Sequence, residues 1–312
     1  MKADRALLIL SALIAALALV AAGTGVLWQG NGIHQQFTSL RGETVPLWGG
    51  GLYRFDSVSG ASQEIAQDVV TLCLGVPLLI VATVLSARGS LRGKLLHAGT
   101  LGYFLYTYTS MSMLTAYNEF FLIYVALMSM SLSGFIMSLM AIDVTGLPER
   151  FTSKLPRKAI ASFLMFVGIM LLLMWVGRIV LPALTTGKPP FGLEAYSTLV
   201  IQAMDLGLVA PAAIVSALLL FRRSPLGYLL SSVVLVKAFT MSIALIAMII
   251  SQMLSGVEVD PVSAVIFSLF SVLDVALFVL MLWSIRGEPQ EQERVLVREA
   301  EAPPTGSILP AG

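Results

Sequence analysis

Cysteine, histidine and charge are all scarce in this chain. Its 312 residues hold one cysteine, Cys73, and two histidines, His34 and His97. A single thiol closes no intrachain disulfide. Two widely spaced histidines and one cysteine make no zinc site of the usual kind. No metal or cofactor is therefore expected. Charged residues make up 12% of the chain, against about 25% in soluble domains. The net charge is +1, so there is no basic surplus to hold nucleic acid.

What fills the chain is apolar: 57% of residues are hydrophobic and mean hydropathy is +0.88. Such a chain cannot cover itself with a polar surface, so lipid is its main solvent. The reading is an all-α polytopic protein of the cell membrane, its first partner the bilayer. Eight spans of about twenty residues can be marked: 6–28, 69–86, 95–114, 119–142, 159–183, 198–221, 226–251 and 262–285. Each is expected to be helical, because lipid offers no partner to a free backbone group. The first span follows Lys2 and Arg5 and has an apolar core too long for a signal peptide, so it is expected to be retained.

Lysine and arginine set the orientation. Arg88, Arg92 and Lys94 lie in one loop, Arg150, Lys154, Arg157 and Lys158 in another, and Arg222 and Arg223 in a third. The alternate loops hold few cations, Lys188 among them. Both termini are expected in the cytoplasm. The tail, 287–312, is charged, ends rich in proline and is expected to be disordered. The long first outer loop, 29–68, reads either as a lid over an outer cavity or as an ordinary surface loop. Within it Asp56 or Ser59 is expected to cap a short helix.

Displaced by 134 residues, the stretch 77–101 aligns without a gap on 211–235, with ten of twenty-five positions identical. Pro77/Pro211, Arg88/Arg222, Ser90/Ser224 and Gly93/Gly227 are the informative matches. A 4+4 parallel duplication follows, residues 1–145 repeating as 146–286. Parallel repeats of this kind occur in transporters, with sites between the halves near mid-membrane. In this register Lys237 matches Tyr103 and Asp205 matches Thr71.

A charge at the bilayer centre costs about 2.5–3.5 kcal/mol or more unless paired or hydrated. Lys237 and Asp274 sit near the middle of spans 7 and 8, and Asp205 sits roughly 8 Å outward in span 6. Asp274 is the expected partner of Lys237, with Asp205 second. Arg178, nearer the surface, is the alternative partner of Asp205. Gln202, Asp205, Val209, Ala212 and Ser216 form an expected interior stripe, and Tyr103 and Tyr106 lie deep on one face. A second candidate group lies at the outer mouth: Arg54, Asp56, Gln67, Asp68, Asn118 and Glu119. His97 is expected to be a satisfied interfacial histidine.

These residues point first to a small-solute or proton-coupled transporter that uses intramembrane charges between the repeats. A membrane enzyme acting at the outer leaflet on a lipid-linked substrate, and a structural or signalling partner, are the alternatives. A retinal Schiff base on Lys237 is disfavoured by the span count and by the lack of tryptophan in span 7. The sequence names no substrate, no catalytic residue and no oligomeric state. Reporter fusions check the sidedness. A reporter that works only in the cytoplasm is expected to be active at either terminus. An active export-dependent phosphatase there would reverse the orientation.

Overall fold

A computed structural model describes residues 2–30, 34–39, 41–187 and 193–286. Lys188 and the tail 287–312 lie outside the described residues. In chain order the elements are α1 (Lys2–Leu27), a hairpin of β1 (Gln35–Thr38) and β2 (Thr44–Leu47), α2 (Val58–Val70), α3 (Val76–Ala87), α4 (Leu91–Met113) and α5 (Phe121–Met140). Then follow α6 (Arg157–Thr185), α7 (Val200–Met204), α8 (Ala210–Phe221), α9 (Pro225–Leu254) and α10 (Pro261–Trp283). The strands pair antiparallel, Gln35 opposite Leu47.

Seven helical segments are long and apolar enough to cross a membrane: α1, α2 with α3, α5, α6, α7 with α8, α9 and α10. Their outward faces carry Leu13, Ile80, Leu173, Leu208 and Val272, all exposed. A soluble protein does not leave so much apolar surface uncovered. The protein is a mostly helical, multi-pass membrane protein.

The second helical run starts earlier than expected. It begins at Val58, not near residue 69, so the last eleven residues of the expected outer loop, 58–68, are helix. Neither Asp56 nor Ser59 caps it. Ser57 does, its side chain accepting from Gly60 N–H at 3.0 Å. Within the described part of the remaining loop, Leu52 and Tyr53 are buried.

Two π turns interrupt the helices, Thr71–Gly75 between α2 and α3 and Asp205–Val209 between α7 and α8. In each, the following N–H reaches back five residues: Val76 to Thr71 and Ala210 to Asp205. A proline comes next in each case, Pro77 and Pro211. Its ring displaces the carbonyl four residues earlier and it donates no hydrogen bond, which a wider turn absorbs. The π turn also shifts the buried face by one residue. Ala210, Ala213 and Ala217 are buried after Asp205, whereas Ala212, expected inside, is exposed.

α4 is the most enclosed helix. Every residue from Leu95 to Leu101 is buried. It packs on α3, α5 and α9, and α9 packs in turn on α2, α8 and α10. Closeness depends on small residues. A β-carbon at Gly99 would overlap Val236 of α9. Ser131, Gly134 and Ser138 of α5 are buried in the same way. His97 is buried rather than interfacial, held between Ser11 Oγ at 2.8 Å and Ser138 Oγ at 3.0 Å.

Tight turns precede α4 and α9. Ser90 Oγ accepts from Gly93 N–H, and a β-carbon at Gly93 would overlap the backbone at Leu85 and Ser86. Gly227 stands in the same relation to Leu219 and Leu220. Gly93→Leu and Gly227→Leu are each expected to destabilise by about 1–3 kcal/mol, seen as a lowered Tm in detergent. Gly177→Ala, with open space around it, is expected to leave Tm unchanged or slightly raised.

Candidate functional site

Two polar groups lie inside the fold. The first gathers around Lys237, half-buried on α9. Among the described residues neither Asp274 nor Asp205 comes within 4.0 Å of its ammonium. The expected Lys237–Asp274 pair is therefore not a direct one. Lys237 Nζ instead sits 3.9 Å from the centre of the Tyr106 ring. A desolvated cation over an aromatic face gains about 2 kcal/mol. Tyr106 Oη then donates to Asp205 Oδ1 at 2.8 Å. Tyr106, on α4, thus stands between the lysine and the aspartate at the π turn.

The other oxygen of Asp205 accepts from Trp175 Nε1 at 2.9 Å. That indole, on α6, takes the place expected for Arg178. Arg178 is exposed one turn further on, its guanidinium 5.6 Å from the Trp175 ring centre. Gln202 is half-buried three residues before Asp205. Asp274 is 1% exposed, its Oδ2 accepting from Ser242 Oγ at 3.1 Å. Its Oδ1 has no donor among the described residues. The apolar hollows bounded by Phe151, Tyr228 and Met281 and by Phe166, Leu173 and Met174 include none of these charges.

The second group lies under the ordered loop. Glu64, Gln67, Asp68 and Thr71 project from one face of the run that begins at Val58, and all are buried. Asp68 Oδ2 accepts from Tyr53 Oη at 2.5 Å. Gly25 of α1 makes room for that contact, since a β-carbon there would overlap Asp68 Oδ2. Gln67 Nε2 donates to Tyr103 Oη at 2.6 Å and to Thr107 Oγ1 at 3.1 Å. Tyr103 Oη and Thr71 Oγ1 share a hydrogen bond of 2.8 Å. Tyr103 thus faces α2 while Tyr106 faces Asp205, so the two tyrosines serve different groups.

Asp56 is 1% exposed. Its Oδ1 accepts from Ala116 N–H at 2.8 Å and from Tyr196 Oη at 3.2 Å. Glu64 Oε1 accepts from Thr115 Oγ1 at 2.7 Å. The remaining oxygens, Asp56 Oδ2 and Glu64 Oε2, have no donor among the described residues, although the two carboxyls are within hydrogen-bond reach. Two ionised carboxylates are both acceptors, so such a contact needs a proton between them. Burial pushes the Asp56 carboxyl up from 3.8 to about 7, against the pull of its Ala116 and Tyr196 donors.

The remaining expected outer residues serve the loop. Arg54 and Glu119 form a two-pronged ion pair, 2.5 and 3.2 Å, on the outside of it. Asn118 is buried and turns the chain into α5 by accepting from Phe120 N–H at 2.9 Å. Arg41 donates to the carbonyls of Glu194 and Tyr196, each at 2.8 Å, and ties the hairpin to the segment before α7.

Sequence reasoning missed Glu64, Tyr53, Trp175 and Tyr196. Glu64 had a legible signal. Glu64 and Asp68 are four apart and Gln67 and Thr71 are four apart, which is one helix face once the helix starts before residue 64. Trp175 and Tyr196 had none, because only the fold brings them to Asp205 and Asp56.

A raised carboxyl pKa ties stability to pH. The fold favours protonated Asp56, so its contribution is full below the unfolded value near 4 and is lost as pH rises through about 7. Thermal unfolding is expected to show Tm falling across neutrality, and Asp56→Asn is expected to flatten that fall. Compared with protein-family models, curated proteins and solved structures, the chain finds no match, so its function is read from these residues.

Proposed function

We propose that this chain is a proton-coupled transporter of a small solute in the cell membrane, built from eight crossings in two parallel halves. The observation that carries the reading is the Lys237–Tyr106–Asp205 group. It joins α4 of the first half to α6, α9 and the π turn of the second. A charge, a hydroxyl and a carboxylate in contact at a helix interruption make a unit whose protonation can alter how the halves pack. π turns of this kind recur at functional sites.

The eighth crossing is α4. Its 23 residues reach about 34 Å, enough for the hydrocarbon core. It is the least apolar of the long helices, and its burial on all sides explains why lipid need not tolerate its polar residues. The duplication is supported by the spacing of equivalent features. The two π turns, the start of α3 and α8, and Gly93 and Gly227 all stand 134 residues apart. The pairings agree as well: α3 with α4 and α8 with α9, α1 with α3 and α6 with α8, α2 with α9 and α7 with α4.

The ordered loop favours a second reading, an enzyme acting at the outer leaflet. However, the carboxyls beneath the loop are at most 7% exposed, so a substrate would first have to displace it.

Currents recorded on supported membranes test the transporter. Amino acids, sugars, organic acids and amines are perfused in turn across a pH gradient. At least one class is expected to evoke a current in the wild type. Lys237→Met and Asp205→Asn are expected to abolish it at unchanged membrane levels. If both variants keep the wild-type current, or if no class evokes one, the reading fails.

A further inference from the structure

We propose that Asp56, Glu64 and Asp68 form a proton-binding site beneath the loop, holding protons at neutral pH and exchanging them when the loop opens. Three observations converge on this.

The first is charge. All three carboxyls are buried, at 1%, 7% and 3% exposure. The groups facing them from every neighbouring element are neutral or acidic. Tyr53 comes from the loop, Tyr103 and Tyr108 from α4, and Tyr124 from α5. Glu194 and Tyr196 come from the segment before α7, and Gln252 of α9 reaches Ser59 beside them. From α1, Gly25 lies against the Asp68 carboxyl. The arginine at hand, Arg54, points outward and is taken by Glu119. Three buried carboxylates with no facing cation among the described residues cannot all stay ionised, because an isolated buried charge neutralises instead.

The second is the contact between Asp56 and Glu64. Each carries one oxygen without a donor among the described residues, and the two carboxyls lie within hydrogen-bond reach of one another. A hydrogen bond between two carboxyls needs a proton on one of them.

The third is independent of the carboxyl count. The hydroxyl of Tyr108, 1% exposed, has no partner among the described residues and lies within electrostatic reach of the Asp68 carboxyl. Buried hydroxyls without partners are uncommon and mark a place for a mobile hydrogen-bonding species. Gln67, Tyr103 and Thr71 continue as a hydrogen-bonded row from Asp68's helix to α4. Carboxyls and hydroxyls with no nitrogen or sulfur ligand among them suit a proton. A hydrated metal ion is the competing occupant, and among the described residues no three acidic groups converge as metal ligands.

Access is built in. Tyr196 hydrogen-bonds Asp56 and is held in turn by Arg41, and the Arg54–Glu119 pair ties the loop to the turn before α5.

Infrared spectroscopy of the full chain in lipid reads this site without any solute, so its failure is distinct from failure of the transporter reading. A protonated-carboxyl C=O band is expected at neutral pH. It should shift slowly in D2O and vanish at alkaline pH. Glu64→Gln and Asp68→Asn are each expected to remove part of it. Where a variant does not fold, the wild-type titration decides alone, and Tyr53→Phe is expected to shift the Asp68 component. Absence of the band at neutral pH, or its full persistence in every folded variant, overturns the proposal. So does loss of the band when sodium replaces N-methylglucamine at constant pH, which would assign the site to a metal cation.

Discussion

Seven consecutive residues of α4, Leu95 to Leu101, are closed off from the surroundings, and that enclosure governs the arrangement of everything around them. A helix touching lipid must be apolar outside, whereas a helix wrapped by protein is free of that rule. α4 can therefore carry His97, Tyr103, Tyr106, Thr107 and Tyr108 along its length. Its neighbours hold the complementary groups: Ser11 and Ser138 for His97, Gln67 and Thr71 for Tyr103, Asp205 for Tyr106. The polar interior is organised by this helix, and the apolar helices outside it separate that interior from the bilayer.

The two polar groups meet the cost of burial differently. Around Asp205 the carboxylate is satisfied by an indole and a phenol, and the lysine is satisfied by an aromatic face. Beneath the loop no cation stands opposite the carboxyls among the described residues, and their partners there are hydroxyls, an amide N–H and one another. A buried charge is tolerated where neutral donors or an aromatic face surround it, and a buried carboxyl without them favours its neutral form.

Much of this was legible in the sequence. The membrane class, the spans around α5, α6, α9 and α10, and the interior placement of Asp205, Asp274, Tyr103 and Tyr106 follow from hydropathy and spacing. What escaped did so for physical reasons. The early start of α2 was hidden because Gln63, Glu64, Gln67 and Asp68 read as loop when lipid is assumed to be the solvent, although here protein is. Lys237 was matched with Asp274 by depth and by neighbouring position in the chain, and neither reveals that a tyrosine from another helix takes the lysine while Ser242 takes Asp274. Ala212 was placed inside by regular helical counting, which a π turn breaks.

That turn has a consequence for the helix as a reading frame. A π turn contains one residue more than the α-turn it replaces, so everything after it is rotated by about 100°. Proline at positions 77 and 211 prevents the ladder from closing back to ordinary geometry. The phase of α3 and α8 is thereby locked against that of α2 and α7. Removal of one residue from Asp205–Val209 would leave composition and hydropathy almost unchanged. Yet it would turn Ala210, Ala213 and Ala217 away from the interior and present their neighbours instead. In this protein a one-residue deletion inside a membrane helix is a more severe lesion than most substitutions beside it.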